Sequence, residues 1–340
     1  MIFVQRRPLR IKAALVAAVL ALACGSIERS ALAGLDFRGS LLIDDYNGSN
    51  ILAFNPTDGS FKGVFATLAA FAKPAFMSLG PNGNVYVSDY ANSTIVEFDG
   101  KTGSSISSFT LQPTDAKAII SGLTFDPSGH LYATDSRLGV IDEYDSVTGA
   151  HIKTFATGIN APRGLTYSSG HIYVTFNTPT LDGGIASYDL QGNLTSQFGR
   201  SADYLRLQSL STGANGNLFA TDGESSVYQF TPSGTRVGVG PFATSNHIVG
   251  TYGAGFGPNG SLFVVDTGGP VYKFDSNGNL IGDPFIPKSG AGYTLNYPVS
   301  ALYNAVAVPE PSALILTCSF LGTLLVSRIR LRRAPSTRGL

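Results

Sequence analysis

Six times along the chain an aromatic residue is followed about eleven positions later by a phenylalanine, with a glycine-bearing turn between them. The pairs are Phe54/Phe65, Phe98/Phe109, Tyr144/Phe155, Tyr188/Phe198, Phe230/Phe242 and Phe274/Phe285, and their first members recur every 42 to 46 residues. A fixed period in the forties belongs to solenoids and β-propellers, whose units cannot bury their own apolar face and must stack on a neighbour. With 340 residues, 43% apolar and only 14% charged, the chain can bury a large core. Gly 40 against Met 2 and Trp 0 favours tight turns over long helices.

Aligned on that period, the units share one strand plan. Leu79–Asp89 followed by Ile95–Asp99 matches Phe125–Asp135 followed by Val140–Asp145, and again Phe256–Asp266 followed by Val271–Asp275. Each reads as strand, Pro-x-Gly turn, strand, loop, strand, turn and strand, with period-two apolar alternation. Four antiparallel strands per unit make a propeller blade. The first unit starts at Leu41, already in its second strand, while Pro298–Tyr303 matches Pro162–Tyr167, the opening strand of the fourth. The expected fold is therefore all-β, a six-bladed propeller over residues 34–307, closed by residues 298–306 joining blade one so that no terminal edge is left bare.

Both ends of the chain read as processing segments. Arg6, Arg7, Arg10 and Lys12 precede an apolar run from Ala13 to Cys24, and Ala31-Leu32-Ala33 offers a small-residue cleavage site, so residues 1–33 are expected to be a signal peptide with a helical core. At the other end Val308-Pro309-Glu310-Pro311 is followed by an apolar segment, Ala313–Val326, and by Arg328, Arg330, Arg332 and Arg333. Residues 308–333 resemble the PEP-CTERM sorting signal of exopolysaccharide-producing Gram-negative bacteria. That resemblance implies a transmembrane helix held with its arginines inside, residues 334–340 as a cytoplasmic tail, and processing by an exosortase that leaves the protein at the cell surface or in the extracellular matrix. Cys24 and Cys318 both lie in these segments, leaving the propeller without cysteine.

The formal charge of zero is unevenly spread. Residues 34–308 carry 13 Lys and Arg against 21 Asp and Glu, a net charge of −8, with no basic stripe, which argues against nucleic acid as a partner. An aspartate closes the second strand of five units, as Asp45, Asp89, Asp135, Asp222 and Asp266; so regular a recurrence reads as a turn acceptor rather than a catalytic group. Blade four departs from it with Phe176 and the longer insert Asn177–Gly184. His130 and His171 follow turn glycines, His151 opens another strand, and His247 stands alone, so no histidine metal set is legible. Asp275–Asn279 has the glycine in the wrong place for a calcium loop and reads as a hairpin turn. Gly253-Ala254-Gly255 reads as close packing on an opening strand.

The blade consensus, Gly-Leu-x-Phe-x-Pro-x-Gly-x-Leu-Tyr-Val-x-Asp followed by Val-x-x-Phe-Asp, resembles NHL repeats and their relatives in the regucalcin and gluconolactonase family over residues 38–306. Lactonases of that family hold a divalent metal through side chains at the openings of first strands. The matching slots here hold Ala75, Ser121, Arg163, Gln208, Tyr252 and Val299, with no carboxylate among them, so no channel metal and no cofactor is expected. Ser121, Arg163, Gln208 and Tyr252 remain as polar channel candidates, and no catalytic residue is assigned. The expected function is a noncatalytic binding or scaffold protein for polysaccharide or another surface protein; the alternative is a gluconolactonase-like hydrolase or lyase using the channel.

Overall fold

The computed structural model describes residues 35–111, 118–178, 183–200 and 206–305. The signal segment with Ala31 and Ala33, the sorting motif Val308, Pro309, Glu310 and Pro311, the terminal apolar segment, and Arg328, Arg330, Arg332 and Arg333 all lie outside the described residues. Among the described residues no helix is long and apolar enough to cross a membrane.

Six antiparallel sheets follow one another along the chain. Blade one holds β1 (Ser40–Asp45), β2 (Asn50–Phe54) and β3 (Phe61–Thr67). Blade two holds β4 (Pro74–Leu79), β5 (Val85–Asp89), β6 (Thr94–Phe98) and β7 (Ser105–Thr110). Blade three holds β8 (Ile120–Phe125), β9 (His130–Asp135), β10 (Val140–Asp145) and β11 (His151–Ala156). Blade four holds β12 (Leu165–Ser168), β13 (His171–Phe176), β14 (Gly184–Asp189) and β15 (Leu194–Phe198). Blade five holds β16 (Leu210–Thr212), β17 (Leu218–Thr221), β18 (Ser226–Phe230) and a two-residue β19 (Ala243–Thr244). Blade six holds β20 (Thr251–Phe256), β21 (Leu262–Asp266) and β22 (Val271–Phe274), followed by the small hairpin β23 (Ser289–Gly290) and β24 (Tyr293–Thr294). The last strand, β25 (Ala301–Asn304), pairs with β1. The chain folds as a six-bladed β-propeller.

The expectation of four strands in every blade fails in blade six, whose continuous ladder has three. Its outer edge is reduced to isolated bridges, Val271 with Ile286 and Phe274 with Leu280. Pro284 and Pro287 flank this segment without N–H donors, and the amides of Phe285 and Ile286 both converge on the Val271 carbonyl, so a regular fourth strand cannot form.

The aromatic period is the joint between blades. The outer-strand phenylalanine of one blade packs on the third-strand aromatic of the next: Phe65 on Phe98 at 6.2 Å between ring centroids, Phe109 on Tyr144 at 5.9 Å, Phe155 on Tyr188 at 6.3 Å and Phe198 on Phe230 at 6.0 Å. The glycine of the turn between them is the other half of the joint. Gly103 has φ +71°, and a Cβ there would stand 1.7 Å from the Phe65 carbonyl oxygen, so only glycine lets the blades approach. Gly192 and Gly278 repeat that contact against the Phe155 and Phe242 carbonyl oxygens, Gly149 and Gly234 stand instead against the Phe109 and Phe198 side chains, and Gly59 closes the ring against the Phe285 carbonyl oxygen.

Closure at β25 is specified by side chains as well as by the ladder. Leu41 faces Tyr303, Leu42 faces Leu302 and Ile43 faces Ala301. The ladder starts at Ala301 rather than at Pro298, because Pro298 has no N–H and the amides of Val299 and Ser300 go instead to the Asp44 carboxylate, at 2.7 and 2.9 Å. Asn304 is fully buried and donates to the carbonyls of Phe37 and Gly100, stitching the closing strand to blade two.

Candidate functional site

The inner strands run beside a central channel, and six backbone slots ring its mouth at their starts. Each slot is fixed by the preceding structure. Thr134, Thr175 and Thr221, near the ends of second strands, donate their hydroxyls to the carbonyls of Arg163 (3.0 Å), Gln208 (3.2 Å) and Tyr252 (2.9 Å) in the next blade. The recurrent aspartates hold the loops. Asp89 accepts from the amides of Lys73, Ala91 and Asn92, Asp135 from Ile119, Arg137 and Leu138, and Asp266 from Val249 and Gly268. Asp222 accepts from Glu224, Ser226 and the Thr251 hydroxyl, and Asp45 from Asn296. The five carboxylates are thus turned into backbone rather than toward the channel.

The mouth encloses a cavity of about 580 Å³ whose wall includes Ala75, Ser121, Arg163, Tyr252 and Val299. Four further aromatic rings complete that wall: Tyr46, Phe76, Tyr90 and Tyr297. Among the described residues no carboxylate lines it. Tyr46 packs edgewise on Tyr90 at 6.0 Å and against Tyr297 at 5.9 Å, and the Lys73 ammonium lies 5.1 Å over the Tyr46 ring. Burial first, and then the neighbouring phenols, push the Tyr46 hydroxyl above the ordinary tyrosine range. Burial does the same to Tyr297, with Arg163 opposing it. Arg163 Nη1 donates to the Tyr252 hydroxyl at 2.8 Å. Two non-glycine residues on the wall have left-handed backbone, Ala161 at φ +40° and Tyr297 at φ +73°, a conformation that costs about 1–3 kcal/mol and gathers at ligand sites. Deeper in the channel a narrower cavity of about 240 Å³ is walled by the inner strands themselves, and Phe76 belongs to both walls. Gly253 and Gly255 stand there because a Cβ on either would lie 2.2 Å from the carbonyl oxygen of Val299 or Ala301.

Gln208 does not line the main cavity. It lies with Asn160, Ala161, Arg163, Asn177, Thr178 and Arg206 around a side pocket of about 350 Å³ that Arg163 shares with the mouth, beside the insert that follows Phe176. Phe176 itself is buried in the slot where other blades carry the turn aspartate, and the Arg200 guanidinium covers its ring at 5.3 Å.

The histidines stand away from the mouth. His130 lies 2.9 Å from Glu143, His151 lies 3.1 Å from Asp142, His171 contacts the Ser169 carbonyl, and His247 pairs with Asp283. Among the described residues no group of three or more His, Cys, Asp or Glu is gathered as a metal set. Asp275 accepts from the amides of Asn277 and Asn279 and from the Asn279 side chain, the geometry of a hairpin turn.

Sequence spacing misses Tyr46, Phe76, Tyr90 and Tyr297. A signal was present: in blades one and two the recurrent aspartate is followed by tyrosine, whereas the other blades follow that position with Ser136, Asn177, Gly223 or Thr267.

No protein-family model matches the chain, and no curated protein matches it in sequence. Solved structures do. Virginiamycin B lyase from Staphylococcus aureus shares 18% identity over 73% of this chain and 81% of its own, with a TM-score of 0.55. The nidogen/laminin complex matches at 16% identity over 77% and 97%, with a TM-score of 0.59. A putative gluconolactonase matches at 16% identity over 64% and 79%, with a TM-score of 0.53. The likeness is one of fold. Propellers of this architecture thus accompany a lyase, a protein complex and a putative lactonase, so function has to be argued from the mouth itself.

Proposed function

We propose that this chain is an exported, noncatalytic propeller that binds saccharide at the tyrosine-lined channel mouth. The observation that carries the reading is the wall of the 580 Å³ cavity, which among the described residues has four tyrosines and a phenylalanine, one guanidinium, and no carboxylate. Aromatic faces stack on the apolar faces of sugar rings, and phenol hydroxyls meet sugar hydroxyls at the rim, the division of labour expected of a concave polar-ligand site. The sorting motif Val308–Pro311 and its arginine cluster agree with a surface or matrix location in a Gram-negative bacterium. There an exosortase would be the processing partner, the terminal helix a transient inner-membrane anchor, and polysaccharide the abundant neighbour.

The catalytic alternative, a gluconolactonase-like hydrolase or lyase, rests on the Arg163–Tyr252 hydrogen bond, which places a phenol and a cation side by side in the channel mouth. One titration series separates the two. Following tyrosine fluorescence with short neutral and acidic oligosaccharides, Tyr46→Ala and Tyr297→Ala are each expected to weaken binding about tenfold, with no product formed. Unchanged affinity in both variants would remove the mouth as the binding site, and turnover lost in Tyr252→Phe would favour the enzyme.

A further inference from the structure

We infer that the ligand is an acidic saccharide, a uronate, whose carboxylate is taken by Arg163 in a groove leading from the channel mouth into the side pocket between blades four and five. This rests on the reading of the mouth as a saccharide site and narrows it. Arg163 walls both cavities. Its Nη1 is engaged by Tyr252, while its Nε is buried and has no hydrogen-bond partner among the described residues. A guanidinium presents several donors in a fixed fork, and such a fork on a residue that walls both cavities is matched by a carboxylate.

Two more residues of the same pocket carry buried polar atoms without a partner. Gln208 is only 7% exposed and its Oε1 is buried without a partner; Asn177 donates its amide to the Leu207 carbonyl at 3.2 Å, yet its Oδ1 is likewise unpartnered. Buried polar atoms are ordinarily satisfied, so three lining one pocket mark groups that a ligand would complete. Carboxamide oxygens accept from hydroxyl groups, and a sugar ring carries hydroxyls beside its carboxylate. That pairing of needs, one anion for Arg163 and neutral donors for Gln208 and Asn177, fits a uronate better than it fits a neutral sugar or a simple anion.

Charge points the same way. The propeller is net negative by 8, so an acidic polymer would be repelled from most of its surface. The mouth and the side pocket carry cations instead, with Lys73 over Tyr46, Arg163 on both walls and Arg206 in the pocket. Of the recurrent carboxylates in blades three and five, Asp222 Oδ1 and Asp135 Oδ1 accept from turn amides, while Asp135 Oδ2 is buried without a partner.

The test compares three probes on the full chain purified in mild detergent: a galacturonate tetramer, a neutral glucose tetramer and a short acidic peptide. The galacturonate tetramer is expected to bind at least about tenfold more tightly than the neutral one, with the preference shrinking as salt is added. Arg163→Gln is expected to bring that ratio down to about one, and Arg163→Lys to leave an intermediate ratio, since it keeps the charge and loses the fork. Thermal melts of both variants confirm that the fold is retained, and Gln208→Leu supplies an independent arm, weakening the galacturonate probe about fivefold. Equal binding of the two sugars, or a preference that survives Arg163→Gln in a folded variant, would overturn the uronate assignment while leaving the saccharide site standing. Failure of both sugars to bind would overturn the saccharide site itself, and binding of the peptide alone would replace it with a protein partner.

Discussion

Asp44 has no exposed surface, yet its carboxyl meets the amides of Val299 and Ser300 and the Ser300 hydroxyl, all from the closing segment. Burial pushes this carboxyl well above the ordinary range, with the hydrogen bonds from Ser300 and Val299 opposing the shift. A raised folded value means that its contribution is fully present below the ordinary carboxylate pKa and is lost as pH rises through the shifted one. Asp44→Ala leaves two buried amides unsatisfied and is expected to cost about 2–4 kcal/mol in urea denaturation. Asp44→Asn keeps an acceptor with nothing to ionise, and is expected to gain on the parent as pH rises above the ordinary carboxylate pKa, about 4. An unchanged denaturation midpoint in Asp44→Ala would show that the ladder alone closes the ring. The recurrent aspartates are legible in sequence as turn acceptors because five blades repeat them, whereas Asp44 is not. Its position is occupied by Ser88, Thr134, Thr175 and Thr221 in other blades, and only the closed ring brings Val299 within its reach.

At the scale of the strand and turn, the hairpins linking third to fourth strands share one device. Asp99, Asp145, Asp189 and Asp275 accept backbone amides from two to four residues ahead; the Asn193 and Asn279 side chains foremost at Asp189 and Asp275, the Thr148 amide at Asp145, and at Asp99, against opposing burial, the Thr102 hydrogen bonds hold these carboxyls below the ordinary range. A lowered folded value gives stability that is present above the ordinary carboxylate pKa and lost as pH falls through the shifted one. Core tyrosines set the other limit. Burial and Glu97 raise Tyr86 to about 12, with the Asn82 side chain and the contact with Ser146 opposing, so its contribution holds below the ordinary phenol value and is lost as pH rises toward that figure. Thermal melts of Asp44→Asn, which lacks the buried carboxyl whose contribution declines with pH, are therefore expected to show a plateau from about pH 4 to about pH 10, falling on the acid side and, with the rise of tyrosinate absorbance, on the alkaline side. A decline well inside that window would assign the limits to other groups. Strand order and blade count are legible because apolar alternation and Pro-x-Gly turns repeat. The outer edge of blade six is not, because Phe285 keeps the aromatic period while Pro284 and Pro287 remove the donors a strand needs.

The whole ring explains why the mouth escapes a reading by spacing. The slots Arg163, Gln208 and Tyr252 are found by aligning blades, but Tyr46 and Tyr297 lie near opposite ends of the propeller sequence and meet only because β25 pairs with β1. Ring closure therefore builds the site as well as protecting an edge, and a ligand at the mouth bridges the first and last segments of the propeller. Hydrogen exchange of the full chain with and without a saturating galacturonate tetramer tests this most directly. The account predicts protection confined to the segments carrying Tyr46, Tyr90, Arg163, Asn177, Gln208 and Tyr297, with the outer strands unchanged. Protection on the opposite face, or on the outer strands β7, β11 and β15 alone, would contradict it.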